Sequence, residues 1–400
     1  MKHRLALLHY TAPPQTGGVE AILGAHARLL RRAGHDVRVI AGRGDAVVVP
    51  EVDSRHPDVE EVAGLLAKGR PAEAQFAALR SRLTEKLRPL LRDRDVVIAH
   101  NVLTMPFNLP LAAALGDLSL PVIAWTHDLA WVNPRYADFH REGWPWEILC
   151  RPQPGTTYVS ISRTRRREIV EVMGLPGRSV PVVPNGIDAE TLWSLSRATL
   201  QLAERGGFRH ANPLVLVPVR VTRRKRIETA LEAAPRLLDS HPGLRLVVSG
   251  PLGPHAADNR VYWSELDALR SALGLEGVVT FLHELAAPGG EHPVDDRSMA
   301  DLYRMADAVL LPSESEGFGL PLLEAALARA PLVCADIPVL REPATGPFTF
   351  RPGAGPQAVA EALRRALGSR GARAKRAVVG GYSWERVVQL IERVVGSAVG

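Results

Sequence analysis

Cysteine is almost absent from this 400-residue chain, which holds only Cys150 and Cys334. The two stand far apart in apolar settings, which argues against a disulfide framework or a cysteine metal site and marks both as buried free thiols. Lysine is nearly as scarce: Lys2, Lys68, Lys86, Lys225 and Lys375 are the only five among 49 basic residues. The net charge of +6 is therefore carried by arginine, and its densest runs, 163–167 and 223–226, are short. A nucleic-acid surface needs basic residues massed on one face with aromatics between them, so no nucleic-acid partner is expected. The basic balance does suit anionic ligands or an anionic membrane surface. No run of about 18 apolar residues lacks charge, which argues against a membrane span. Residues 1–9 hold too short an apolar stretch for a secretory signal and read as a strand. A reducing, cytoplasmic setting is expected, with peripheral contact at the inner membrane face as the variant the charge allows.

What is present is the balance of a globular protein, 46% hydrophobic and 23% charged. The length calls for two domains. Short apolar runs alternate with helical patterns, which predicts parallel sheets flanked by helices. Strands are expected at 4–8, 37–41, 96–100, 122–126 and 158–161, then at 214–218, 244–249, 278–282, 308–311 and 332–335. These runs are continuously apolar, as strands buried on both faces are. Helical spacing fills 20–33, 72–91, 227–238 and 322–330. The pattern resets once, around the turn-rich Pro184-Asn185-Gly186, so the expected domains are 1–184 and 185–400. Each is an α/β, doubly wound, Rossmann-like domain. The Gly- and Pro-rich stretch 286–296 reads as a surface loop.

The densest chemistry lies after the strand 308–311, where Glu316-Gly317-Phe318-Gly319-Leu320-Pro321-Leu322-Leu323-Glu324 runs into a helix opened by Pro321. Gly317 and Gly319 let the backbone approach a ligand, and the free N–H groups of a helix start favour an anion. Glu316 can accept hydrogen bonds from sugar hydroxyls, and Glu324 can reach the vicinal hydroxyls of a ribose. Arg220 and Lys225 leave the end of the strand at 214–218, where fixed cations would stabilise a departing diphosphate. No Asp-x-Asp motif stands in a matching place, so no metal is expected. Gly17-Gly18 follows the first strand without the Gly-x-Gly-x-x-Gly spacing of a dinucleotide site. Four of the seven tryptophans, Trp125, Trp131, Trp144 and Trp146, crowd one stretch. Their rings could stack on an acceptor sugar, pack a long loop, or face lipid beside Arg135, Arg141 and Arg151.

The segment from Glu316 to Glu324 resembles the Glu-x7-Glu motif of retaining GT-B glycosyltransferases, specifically glycosyltransferase family 4 (glycosyl transferases group 1). Gly17-Gly18-Val19-Glu20, Val183 to Asp188, the Arg220/Lys225 pair and Tyr382-Ser383-Trp384 extend the resemblance across nearly the whole chain. It implies the GT-B fold, two Rossmann-like domains facing across a cleft, with a last helix at about 383–399 crossing back to the N-terminal domain. It implies Glu316, Arg220, Lys225 and His127 as catalytic residues, His127 through a hydrogen bond to the donor sugar. Gly17, Gly18, Phe281, Leu282, His283, Gly317, Phe318, Gly319, Leu320 and Glu324 would bind the donor, with Phe281 and Leu282 at the base. The expected activity is retaining, metal-independent transfer of a hexose from a nucleotide sugar, with no cofactor. UDP-glucose is the default donor, and GDP-mannose or ADP-glucose the alternatives. The hydroxyl acceptor, a small molecule, glycan or lipid-linked species, is unidentified. A nucleotide-sugar epimerase or a catalytically silent sugar-nucleotide binder of the same fold is the competing reading.

Overall fold

The structure is a computed structural model that describes residues 2–15, 17–252, 256–286, 292–316, 319–341 and 346–400, with no side-chain description for 256 and 257. Two six-stranded parallel sheets form its frame. The first holds β1 (Arg4–Leu8), β2 (Asp36–Ala41), β3 (Val47–Val48), β4 (Val96–His100), β5 (Val122–Thr126) and β6 (Thr156–Ser160). The second holds β7 (Leu214–Val217), β8 (Arg245–Val248), β9 (Val279–Phe281), β10 (Ala308–Leu311), β11 (Leu332–Ala335) and β12 (Phe348–Phe350). The orders, β3-β2-β1-β4-β5-β6 and β12-β11-β10-β7-β8-β9, are one topology written twice, the doubly wound arrangement of a Rossmann fold. The expected α/β class and pair of Rossmann-like sheets are what the chain adopts.

The continuous apolar runs follow from burial on both faces. In β1, Ala6 and Leu8 pack with Leu79, Leu83 and Leu87 of the helix Glu73–Leu91. Leu5 and Leu7 pack on the other side with Leu23 and Leu30 of the helix Gly18–Arg32. The chain divides into two compact units, Met1–Ile187 with Trp384–Gly400, and Asp188–Ser383. The expected border at 184 lies slightly short of this division. Ser160 pairs with Val182, the Val183 N–H donates to the Ser160 carbonyl, and Gly186 lies under the Trp384 ring, so the segment stays with the first unit. The helix Trp384–Val399 belongs there too, burying Val387, Ile391 and Val395 beside Leu5 and Val37. Among the described residues no helix is long and apolar enough to cross a membrane.

Candidate functional site

In a doubly wound sheet, ligands bind beyond the carboxyl ends of the strands where the strand order reverses. In the second unit that point lies between β7 and β10, paired through Ala308 with Val215. The loop after β7 turns through Arg226, which sits at φ 51°. It is stapled to the loop after β10: the Glu314 N–H donates to the Arg224 carbonyl at 2.9 Å, and Arg224 Nη1 donates to the Ser315 carbonyl at 3.2 Å. Arg226 pairs with Glu314 at 3.2 Å. The staple brings Lys225 Nζ to 2.5 Å from Glu316 Oε1, with both side chains about nine-tenths covered. Such a pair breaks at a cost unless a ligand supplies new partners to both ions. A phosphate for the ammonium and a sugar hydroxyl for the carboxylate would do so. Arg220 stands exposed past the end of β7, with no ion pair among the described residues, and is free to meet an anion.

Gly319 takes φ 87° as it caps the helix Leu320–Leu327, and a Cβ there would lie 2.6 Å from Leu340 Cδ2, so only glycine fits. Leu320 is exposed beside it. Gly317 and Phe318 lie outside the described residues. Glu324 is exposed and accepts a hydrogen bond from Tyr303 Oη at 2.6 Å. At the end of β9, Phe281 and Leu282 are wholly buried in the core, so their side chains offer nothing to a base. This corrects the expectation that they line it as far as their side chains are concerned. Next to them His283 is half-buried, its ring edge-on to Trp263 at 4.6 Å and both its nitrogens buried without a hydrogen-bond partner. Burial lowers the His283 pKa, keeping the ring neutral. Trp263 itself lies on a helix face and carried no signal in the sequence.

The first unit reverses strand order between β1 and β4 and places histidines there. The His9 Nδ1–H donates to the His100 carbonyl at 2.7 Å, and His100 Nδ1 lies 3.1 Å from His127 Nε2. His26 packs against His100 and Trp125, with ring centroids 5.3 Å and 4.9 Å away. Burial pushes His26 and His127 down to about 3, with a smaller push from neighbouring histidines, and takes His100 well below its ordinary range. All three are neutral near pH 7. His100 and His127 stack, His26 is tilted against His100, and among the described residues no cluster is placed to hold a metal ion.

Asn101, which the sequence did not single out, and Glu20 of the Gly17-Gly18-Val19-Glu20 motif organise this crevice. Asn101, at φ 57°, accepts from the backbone N–H groups of both His127 and Asp128 at 2.9 Å, while Tyr10 Oη donates to its carbonyl. It fixes the turn that carries His127. Glu20 accepts from Thr11 Oγ1 at 2.6 Å, and one of its oxygens would lie 2.0 Å from a Cβ at Gly17. A side chain at Gly17 would displace the folded-back glutamate, and Gly18 beside it opens onto free space.

The tryptophans separate. Trp125 is 1% exposed between His26 and His100, and Trp146 is 6% exposed with Arg141 over its ring. Neither ring can stack on a sugar, which corrects the acceptor role expected for them. Trp131 is half-buried against His140. Trp144 is 52% exposed, flanked by Phe76 and Arg80 at a cavity of about 750 Å³ along the helix Glu73–Leu91.

Residues 16–191 match the family described as Glycosyltransferase Family 4, and residues 201–382 match Glycosyl transferases group 1. A D-inositol 3-phosphate glycosyltransferase of Kineococcus radiotolerans is 30% identical over 360 residues, covering 84% of this chain and 79% of that protein. An uncharacterised glycosyltransferase of Methanocaldococcus jannaschii is 25% identical, covering 96% of each chain. Among solved structures, Anabaena HepE in complex with UDP aligns over 98% of this chain and 100% of its own, at 17% identity and a TM-score of 0.37.

Proposed function

The chain belongs to glycosyltransferase family 4 and is a glycosyltransferase, and from that premise we propose that it transfers a hexose from a nucleoside diphosphate donor with retention of configuration. The observation that carries this reading is the Lys225–Glu316 pair at the switch point of the second sheet. A carboxylate tied to a lysine ammonium is a poor nucleophile and a poor base. Glu316 is therefore read as a ligand of the donor sugar, and Lys225 with Arg220 as the positive charge that receives the leaving diphosphate. That charge does the work a metal ion would do, so neither metal nor cofactor is invoked. Glu324 takes the ribose hydroxyls, and the base rests near His283. His127, neutral and fixed by Asn101, is suited to hydrogen-bond a sugar hydroxyl rather than to remove a proton.

In this scheme the acceptor oxygen bonds to the anomeric carbon on the face that the diphosphate leaves. The bond from that carbon to the phosphate oxygen breaks, and the same phosphate oxygen takes the acceptor's proton. UDP-glucose is the first donor to test. The inositol phosphate in the name of the Kineococcus relative makes D-inositol 3-phosphate a reasonable first acceptor.

The test is incubation with UDP-glucose, GDP-mannose and ADP-glucose, with and without hydroxyl acceptors, followed by NMR of the glycosidic product. Acceptor-dependent nucleotide release and an anomeric coupling matching the donor are expected. An inverted product would overturn the mechanism, and conversion of the donor without acceptor would identify an epimerase.

A further inference from the structure

Glu324 is tied in place by a residue that is itself almost wholly covered. Tyr303 is 3% exposed on the helix Asp296–Met305, and its Oη donates to Glu324 Oε2 at 2.6 Å. The helix that carries it is pinned at both ends of its first turns. Asp295 caps it by accepting from the Ser298 N–H at 2.7 Å, and buried Asp301 accepts from the Ser196 N–H at 2.8 Å and from Thr199 Oγ1 at 2.9 Å. The phenol is therefore a fixed point. Glu324 is exposed on the neighbouring helix and borders a cavity of about 400 Å³ that Tyr303 itself, Met299, Ala300, Arg304 and Leu327 also line. An exposed glutamate in a helix samples several rotamers of similar energy. A charge-assisted hydrogen bond to a fixed donor selects one of them.

The selection matters because two vicinal hydroxyls need acceptor lone pairs in a set orientation. With Oε2 bound to the phenol, Oε1 and the second lone pair of Oε2 remain to accept from a ribose. Burial, together with the adjacent carboxylate, pushes the Tyr303 hydroxyl well above its ordinary range, so it stays a donor. We propose that Tyr303 is a positioning residue that fixes the Glu324 carboxylate for the ribose of the donor, an inference that rests on reading Glu324 as the ribose ligand.

The test compares UDP-glucose, or whichever nucleotide sugar proves active, with its 2′-deoxyribose and 3′-deoxyribose counterparts. Tyr303→Phe removes one oxygen and keeps the ring. It should raise KM for the ribose donor about tenfold, the scale of a lost hydrogen bond to a charged group, with kcat held within about twofold. It should leave KM for the deoxyribose donors unchanged. Equal effects on both kinds of donor, or none on either, would overturn the proposal. Tyr303→Leu also lacks the hydroxyl, must show the same split, and stands in should the Phe variant not fold. Glu324→Gln separates the two layers of the argument. If it still discriminates ribose from deoxyribose as the parent does, the ribose ligand lies elsewhere and the reading of Glu324 fails, whatever Tyr303 does.

Discussion

The two units share one strand order, yet the crevices where that order reverses carry opposite chemistry. In the second unit the crevice between β7 and β10 holds a covered ion pair, Lys225 with Glu316, between loops stapled backbone to side chain. In the first unit the crevice between β1 and β4 holds imidazoles that burial keeps uncharged. Topology chooses where loops converge, and a handful of loop residues choose what happens there. On the proposed reading, a site that holds a diphosphate needs fixed charge, and a crevice that only hydrogen-bonds sugar hydroxyls is better served by neutral donors and acceptors.

The sharpest way to break this comparison is to remove the charge. Glu316→Gln or Lys225→Ala should lower kcat by about 10²–10³-fold, the scale of losing one preorganised electrostatic group. Steady-state kinetics should also find the double variant little worse than the poorer single one, because the two ions act as a unit. Losses that simply add would mean that the ions work independently.

The first unit should respond through its framework. Asn101→Ala leaves two backbone N–H groups without their acceptor and keeps a side chain at positive φ. A loss of about 2–3 kcal/mol in unfolding free energy is expected from urea denaturation, together with reduced turnover through His127. Loss of turnover with unchanged stability would mean that Asn101 touches substrate directly.

The smallest effect tests neutrality itself. His26 is held at about 3 in the fold, against 6.5 for a free imidazole. Above about pH 6.5 neither the folded nor the unfolded chain protonates it. Between about 6.5 and 3 only the unfolded chain takes the proton, so stability falls as pH falls, by about 1.4 kcal/mol per pH unit for this group. His26→Leu should therefore show a smaller drop in urea midpoint between about pH 7 and about pH 5 than the parent. An identical drop would mean that His26 is protonated in the native state.

Ten of the twelve strands among the described residues could be read from the sequence because burial on both faces writes an unbroken apolar run. Val47–Val48 and Phe348–Phe350 could not. Both are outermost strands, short and partly exposed, and such segments carry little pattern of their own. The same division governs the site. Glu316, Gly319 and Glu324 are legible because one loop and one helix start carry them all. Asn101 and Tyr303 act on residues more than twenty positions away, and nothing local marks a side chain whose partner is supplied by the fold. Trp125 and Phe281 mislead for a related reason. An aromatic at a strand end looks the same in sequence whether its ring faces a ligand or the core.

The helix Trp384–Val399 has a consequence for how the chain is made. Val387, Ile391, Val394 and Val395 complete one face of the first unit, whose other residues are synthesised almost two hundred positions earlier. The second unit, Asp188–Ser383, is continuous and holds its whole core within itself. On a ribosome the second unit can close while the first still shows an apolar sheet face to water. The part of the chain that emerges first is thus the last to be finished, and its open face is the one that a chaperone would have to guard.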